Sequence, residues 1–454
     1  MSSFVNSTIR ASERTARPLA IFSLYLFFLS MGPSTAGVNI ASGVLLLATV
    51  LAMRPFWQDV RVLPVVWLML GFLGYLTVQS LVFVHYFPAL DESGNPHWTH
   101  LARTVALVSL PLAWWLTRLP HHLPWLLGAA AVSLAAGIVY SIDVAGIAAE
   151  GLWERRYWGS TQGEVSYMAA VGLIGCWILG IRLYMRQPFR SRQVLLYAPL
   201  LGLAGFVFLV ALYGSQTRST WGAVLITLAV FLGLELYRAI RNRRALVRAG
   251  AVLLSLVVAI AAVVAIDGGQ AYERRLGGQS ETLAAVLNLD VDRVMETNRP
   301  LGLRIRMWEA GVQAFVERPL VGWGVGSMRI IREGGGRDLR TRAHFHNAYL
   351  ELLVGVGLVG FFAMAVIILL ACRGALAAGL RDPALLPVMH ITFAVLLMSS
   401  LTLFFEIRIG HTSGRSIMTL LLALLVMAQL RGRYGGSAPT GETRPPVPGR
   451  QGKR

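Results

Sequence analysis

The sequence predicts an all-α, polytopic inner-membrane protein with about twelve transmembrane helices and one large periplasmic loop. Of its 454 residues, 55% are hydrophobic and only 14% are charged, and the mean hydropathy is +0.60. A soluble domain usually carries about 25% charged residues. This deficit excludes a soluble enzyme with one large core, and it also excludes a disordered chain or a coiled coil.

Apolar runs of the length that a bilayer requires, about 20 residues, recur along the chain. The predicted spans lie near residues 18–33, 36–53, 62–85, 100–117, 122–142, 164–182, 194–213, 218–237, 249–266, 347–372, 384–405 and 415–430. They predict four parts, which are nine helices within 1–266, a periplasmic loop at 267–345, three helices within 346–430 and a disordered cytoplasmic tail at 431–454.

The net charge of +18 is concentrated in alternate loops. With the N-terminus placed in the cytoplasm, the inner segments hold 23 of the 41 basic residues but only 5 of the 23 acidic ones. Arginine-rich loops stay on the cytoplasmic side of a membrane protein. The alternation therefore predicts cytoplasmic N- and C-termini, and it accounts for the charge without nucleic acid.

The loop at 267–345 contains an amphipathic stretch from Gly302 to Met328. Helical spacing of its apolar residues predicts a helix lying against the membrane surface. Those residues are Ile305, Trp308, Ala310, Val312, Phe315 and Val316. Glu317-Arg318-Pro319 is expected to end this helix, because the residue before a proline disfavours helical geometry.

Arg218 is the first candidate for function, because it opens an apolar helix at its predicted outer end. The positive-inside rule does not favour an arginine there, and the hydroxyls of Ser215, Thr217 and Ser219 flank it. The alternative is an arginine that extends to the lipid headgroups.

Two further arginine pairs lie in predicted outer segments. Arg155 and Arg156 are adjacent and can clamp a phosphate bidentately, with Arg156 the better candidate. Arg304 and Arg306 lie on the amphipathic stretch. The alternatives are pairing of Glu154 with one arginine of the first pair and ordinary surface charge for the second pair.

The fourth candidate is a histidine motif, His344-Phe-His346-Asn347, directly before an apolar helix. Asn347 can cap that helix, whose N-terminus attracts anions, and His346 can act as a general base near neutral pH. Glycines in the helix would allow another helix to approach closely; they are Gly355, Gly357 and Gly360. The alternatives are a structural histidine and a His-x-His metal site.

Together these residues place arginines and one histidine on the outer face of a membrane protein. The sequence contains no paired glycosidase carboxylates, no P-loop and no GxSxG motif. Arginines suit an anionic head such as pyrophosphate. The residues by themselves indicate an outward-facing site for a phosphorylated lipid, with no cofactor.

The motifs resemble those of the bacterial O-antigen ligases of the WaaL type, within the O-antigen ligase/polymerase superfamily. The family's His-(Asn/Ser/Gln)-x9-Gly-x-x-(Gly/Thr/Tyr) is met by His346-Asn347 and Gly357-Leu-Val-Gly360. The other similarities are Arg218 opening an outer helix, Arg304-Ile-Arg-Met-Trp308, Pro319-Leu-Val-Gly-Trp-Gly324 and Arg156-Tyr-Trp-Gly159. The chain departs from some members at Gly222, where they carry leucine, and after Gly159.

The resemblance implies a metal-independent, inverting glycosyltransferase at the periplasmic face of the bacterial inner membrane. Its donor would be a polysaccharide on undecaprenyl pyrophosphate, and its acceptor a sugar hydroxyl of lipid A–core. His346 would be the catalytic base, and Arg218, Arg304 and Arg156 would hold the pyrophosphate. Supporting roles are expected for Asn347, His344, Arg306 and Arg155.

Three alternatives to a ligase remain open. An O-antigen polymerase and a protein O-oligosaccharyltransferase would use the same donor with a different acceptor. A transporter of an anionic solute belongs to another class, and it would require paired charges or broken helices at mid-membrane.

Overall fold

The computed structural model describes residues 2–86, 97–150, 162–186, 192–239, 243–267, 280–324, 344–406 and 411–434. Within these ranges the chain folds into 17 α-helices with no β-strand. The all-α fold class predicted from composition is confirmed.

Eleven helices precede the long loop. They are α1 (Ser2–Ser30), α2 (Thr35–Leu51), α3 (Met53–Val60), α4 (Pro64–Tyr86), α5 (His97–Arg118), α6 (Leu123–Ser141), α7 (Val144–Glu150), α8 (Gln162–Arg186), α9 (Arg192–Gly214), α10 (Arg218–Ala239) and α11 (Arg243–Asp267). The described part of the loop forms α12 (Ser280–Leu287), α13 (Val291–Thr297) and α14 (Arg299–Glu317). The chain then forms α15 (Ala348–Arg381), α16 (Leu386–Leu403) and α17 (Thr412–Tyr434).

A long helix lies at each of the twelve predicted spans. By length and composition, eight helices of the described chain can cross a membrane, and a ninth is possible if α2 and α3, which meet at a bend of 92°, form one span. The eight are α4, α6, α8, α9, α10, α15, α16 and α17. The polytopic architecture follows from these helices, whereas the number of about twelve spans stays a prediction.

Charged residues predicted to face the cytoplasm share one end of the bundle. There Arg118 at the end of α5 forms an ion pair with Asp59 of α3, with Nη2 and Oδ2 2.7 Å apart. Arg431 of α17 lies 3.6 Å from Asp382, and Arg433 donates a hydrogen bond to the backbone just after α3. These residues, which come from four of the predicted inner segments, therefore lie at the same end of the bundle.

Helix α15 is interrupted at Gly357, where φ is +63° and ψ is −173°. The segment 319–324, directly after α14, lies against this interruption. Four backbone hydrogen bonds join the two segments, from Trp323 to Val354 (2.8 Å), Gly324 to Gly355 (2.9 Å), Leu358 to Pro319 (2.8 Å) and Val359 to Leu320 (3.1 Å). We call residues 319–324 and 354–359 the junction.

The junction changes the interpretation of the glycines in α15. We predicted that Gly355, Gly357 and Gly360 admit a neighbouring helix. A Cβ on Gly360 would indeed lie 3.1 Å from the ring of Tyr75 on helix α4, but the backbone that approaches Gly355 and Gly357 is the non-helical segment 319–324. A Cβ on Gly357 would lie 2.3 Å from the carbonyl oxygen of Leu320, and one on Gly322 would lie 2.6 Å from that of Gly355. These glycines are therefore required by backbone contact between the two segments.

We expect Gly357→Ala to destabilise the protein by about 2 kcal/mol or more, because a left-handed backbone and a clash with rigid backbone act together. The measurement is the thermal unfolding midpoint of the purified protein in detergent. Gly175→Ala is the matched control, since a Cβ at this helical glycine of α8 meets no atom within 4 Å. An equal midpoint for the two variants would contradict the tight backbone packing of the junction.

Candidate functional site

His346 lies in the turn that leads into α15, and its own backbone is left-handed, with φ of +54°. The turn is held by Asn347, whose side-chain oxygen accepts hydrogen bonds from the backbone N–H groups of Tyr349 and Leu350, both at 3.1 Å. Asn347 is therefore the N-cap of α15, as its position in the sequence predicted.

Glu406 connects His346 with Arg304. Its Oε1 lies 3.2 Å from Nη2 of Arg304 on α14, and its Oε2 lies 3.5 Å from Nδ1 of His346. Glu406 follows α16, and Tyr349 of α15 donates a hydrogen bond to the backbone oxygen of Ser400 near the end of α16 (2.8 Å). One carboxylate thus joins two residues that the sequence nominated separately.

The imidazole of His346 is oriented by its surroundings. Its Nδ1 is buried and makes no hydrogen bond among the described residues, although the Glu406 carboxylate lies 3.5 Å away. The side chain as a whole is 25% exposed, so its accessible atoms lie on the rest of the ring. The ring of His344 packs edge-on against it at a centroid distance of 4.1 Å. A carboxylate beside Nδ1 favours a proton there, which leaves Nε2 as the acceptor.

Arg218 is the first residue of α10, after a buried turn in which Gln216 has φ of +50°. The Ser215 hydroxyl donates to the backbone oxygen of Leu212 (2.8 Å), so this hydroxyl stabilises the turn. Arg218 and Arg304 lie close enough that their positive charges repel each other. The turn therefore holds a second guanidinium near the Arg304–Glu406 pair.

Arg306 does not join this cluster. Residues two positions apart on a helix point to different sides, and Arg306 contacts Asp292 of α13 at 3.0 Å, while Arg304 contacts Glu406. The predicted pair Arg155 and Arg156 lies outside the described residues.

The amphipathic helix α14 ends at Glu317, before Pro319, as predicted. Its buried face, however, packs on α15 and the turn before it, where Trp308 donates to the backbone oxygen of Phe345 at 3.0 Å. The residues of this small core are Met307, Ala314, Phe345, Leu350 and Val354. Of the apolar residues assigned to one membrane-facing stripe, Val312 and Val316 are exposed, whereas Trp308 and Phe315 pack against the core. The helix is thus a support for the His346 turn.

Glu351 is buried one turn into α15, and its Oε2 accepts a hydrogen bond from the backbone N–H of Phe345 (3.2 Å). This contact fixes the turn that carries His346.

In the described part of the chain, no group of three His, Cys, Asp or Glu side chains could hold a metal ion. The metal alternative for His344 and His346 therefore has no ligand set there.

Part of the chain, including most of this site, is similar to a known protein family. Residues 203–365 match the family model described as O-antigen ligase. A search of curated proteins found no match for the chain. The matched region includes Arg218, Arg304 and His346, while Glu406 lies beyond it. The chain therefore carries a region similar to the O-antigen ligases, which supports the O-antigen ligase superfamily, and its motifs are consistent with the WaaL type.

Proposed function

We propose that the protein is an O-antigen ligase that transfers polysaccharide from undecaprenyl pyrophosphate to a sugar hydroxyl of lipid A–core at the periplasmic face of the inner membrane. The observation that carries the proposal is the meeting of His346, Glu406 and Arg304, with Arg218 nearby. This arrangement offers one base and two cations to a single substrate.

In the proposed reaction, Nε2 of His346 accepts the proton of the acceptor hydroxyl as its oxygen attacks the anomeric carbon of the donor. The bond from that carbon to the pyrophosphate oxygen breaks, and the electron pair leaves with undecaprenyl pyrophosphate. A single displacement of this kind inverts the anomeric centre. The imidazolium then releases its proton to water.

Arg304 and Arg218 stabilise the negative charge that develops on the leaving pyrophosphate. Arg304 uses one N–H for Glu406, and a guanidinium carries five donors, so it retains donors for a phosphate oxygen. The carboxylate also limits the net positive charge around His346. Arg156 is assigned to the same task by resemblance alone, and His344, Asn347 and Arg155 are proposed as supporting residues, whereas Arg306 pairs with Asp292 and takes no part in the proposal.

The test is transfer in vitro with the protein in nanodiscs, polysaccharide on undecaprenyl pyrophosphate as donor and lipid A–core as acceptor. The expected product is lipid A–core bearing polysaccharide. A deletion strain separates the alternatives. Loss of a ligase leaves bare core, loss of an O-antigen polymerase leaves core capped with one unit, and loss of a protein O-oligosaccharyltransferase changes glycoproteins.

The transporter alternative gains one feature, because α15 is a broken helix. In transporters such breaks leave backbone groups for the solute or its coupling ion. Here the groups on both sides of Gly357 bind to segment 319–324. These backbone groups are therefore occupied by segment 319–324 and not left for a solute or an ion, which favours the transferase proposal over a transporter.

We expect Arg218→Lys to lower kcat/KM for the donor by about 10- to 100-fold, because a planar fork becomes a point charge that cannot bind a phosphate bidentately. The measurement is the initial rate against donor concentration. Arg293→Lys is the matched control, since Arg293 pairs with Glu281 and Glu296 at an exposed surface and is expected to leave the rate unchanged. Full activity of Arg218→Lys would favour the alternative in which Arg218 only contacts headgroups.

A further inference from the structure

Helix α4 contacts the junction through two side chains. The Tyr75 hydroxyl donates a hydrogen bond to the backbone oxygen of Val356 (2.7 Å) and lies 3.3 Å from that of Val321. The side-chain amide nitrogen of Gln79 donates to the backbone oxygens of Gly355 (2.9 Å) and Val321. Each side chain therefore contacts both segments of the junction.

These contacts supply hydrogen bonds to backbone carbonyl groups that the break in α15 leaves without helical partners. The carbonyl groups before an interrupted helix lose their partners one turn ahead, and unsatisfied carbonyls are costly inside a bilayer. Segment 319–324 supplies backbone N–H groups to Val354 and Gly355, but it supplies none to Val356. Tyr75 supplies the hydrogen bond to Val356, and Gln79 uses both of its amide hydrogens to bridge the two segments.

A small tilt at the junction would produce a larger displacement of His346. His346 is ten residues before Val356, which corresponds to about 15 Å along a helix. A tilt of about 4° at the junction would move His346 by about 1 Å, and a displacement of that size can lower a rate about 100-fold. Segment 319–324 also continues directly from α14, which carries Arg304. Both sides of the site thus depend on the same junction.

We infer that Tyr75 and Gln79 are positioning residues for the transfer reaction, because they fix the junction that orients the first segment of α15 (residues 348–356) and His346 at its start. They act through the backbone and contact neither substrate nor the reacting atoms. The inference rests on the proposed function for its effect on rate. Helix α4 lies outside residues 203–365, the region matched to the family.

The test combines Tyr75→Phe and Gln79→Leu with two controls on the same helix, Thr77→Val and Ser80→Ala. Within the part of the chain that the structure describes, the hydroxyls of the control residues donate to backbone oxygens of α4 itself, those of Leu73 and Leu76. We expect kcat to fall about 5-fold for Tyr75→Phe and about 30-fold for Gln79→Leu, with the donor KM within about 3-fold of wild type. Both controls are expected to retain the wild-type kcat.

Gln79→Glu gives a readout that a general loss of folding would not produce. Only the neutral carboxylic acid can donate a hydrogen bond to a backbone oxygen. The ratio of the Gln79→Glu rate to the wild-type rate is therefore expected to rise as pH falls from about 7 to about 5, where an ordinary glutamic acid begins to take up its proton. A ratio that does not change with pH would overturn the assignment of Gln79.

Backbone hydrogen exchange provides a measurement that does not depend on transfer activity. The amides of Trp323, Gly324, Leu358 and Val359 are expected to exchange about 10-fold faster in Tyr75→Phe and Gln79→Leu than in the two controls. If the wild-type protein transfers no polysaccharide, the proposed function fails, and exchange alone decides whether Tyr75 and Gln79 hold the junction. Unchanged exchange, or wild-type kcat in both variants of a protein that does transfer polysaccharide, overturns the inference.

Discussion

Replacement of His346 by alanine is expected to abolish polysaccharide transfer, with kcat lowered by about 1,000-fold or more. General-base catalysis contributes about 10²- to 10⁴-fold. In the described chain, Nδ1 of His346 lies 3.5 Å from Glu406, and the same carboxylate contacts Arg304. The measurement is single-turnover transfer with donor and acceptor at saturating concentration, together with the amount of protein in the membrane fraction.

His122→Ala is the matched control for this variant. His122 pairs with the hydroxyl of Tyr25 on α1, with Nδ1 and the hydroxyl oxygen 3.2 Å apart, so the same side chain is removed from a structural contact. It is expected to leave kcat within about 3-fold of wild type. Near-normal transfer by His346→Ala, with normal insertion, would show that another group accepts the proton.

The sequence predicted the parts of the fold that depend on local patterns. Apolar runs placed a helix at every predicted span, and Asn347 was recognised as a cap because its side chain acts within three residues of its own position. The end of α14 at Glu317 followed from the proline two residues later. The eight span candidates and the family match agree with the predicted membrane protein, while the inner and outer sides of the membrane stay a prediction.

Glu406 and the junction escaped prediction because they depend on contacts between distant segments. Glu406 lies 60 residues after His346 in the sequence, and no local pattern connects two residues so far apart. A signal was present, since Glu406 ends an apolar run, where an ionisable residue is costly. The conformation of Gly357 is set by a segment more than 30 residues earlier, so its role in a helix break also had no local pattern.

The position of Glu406 predicts an unusual combination of kinetic effects. Glu406→Gln keeps the size of the side chain but removes the charge between His346 and Arg304. In serine hydrolases, an amide in place of the carboxylate that holds the catalytic imidazole lowers kcat about 10⁴-fold. The 3.5 Å separation here exceeds a hydrogen bond, so we expect a smaller loss of kcat, about 100-fold. The measurement is the initial transfer rate over a range of donor concentrations.

The donor KM is expected to remain equal or to fall in Glu406→Gln. Removing the carboxylate releases one N–H group of Arg304 and leaves more positive charge for the pyrophosphate. A carboxylate that served only to hold Arg304 in place would instead raise KM when it is lost. These opposite directions separate a role toward His346 from a role toward Arg304.

A double variant tests whether Glu406 acts through His346. Residues that work as one unit have effects that do not add, because removal of the base already abolishes what its partner supports. We therefore expect His346→Ala combined with Glu406→Gln to transfer at the rate of His346→Ala alone. A further loss of about 100-fold in the double variant would mean that Glu406 acts independently of the base. In that case Glu406 would have to act through the arginines. Because the donor KM of Glu406→Gln is unchanged, that action would concern the transition state and not the binding of the donor in the ground state.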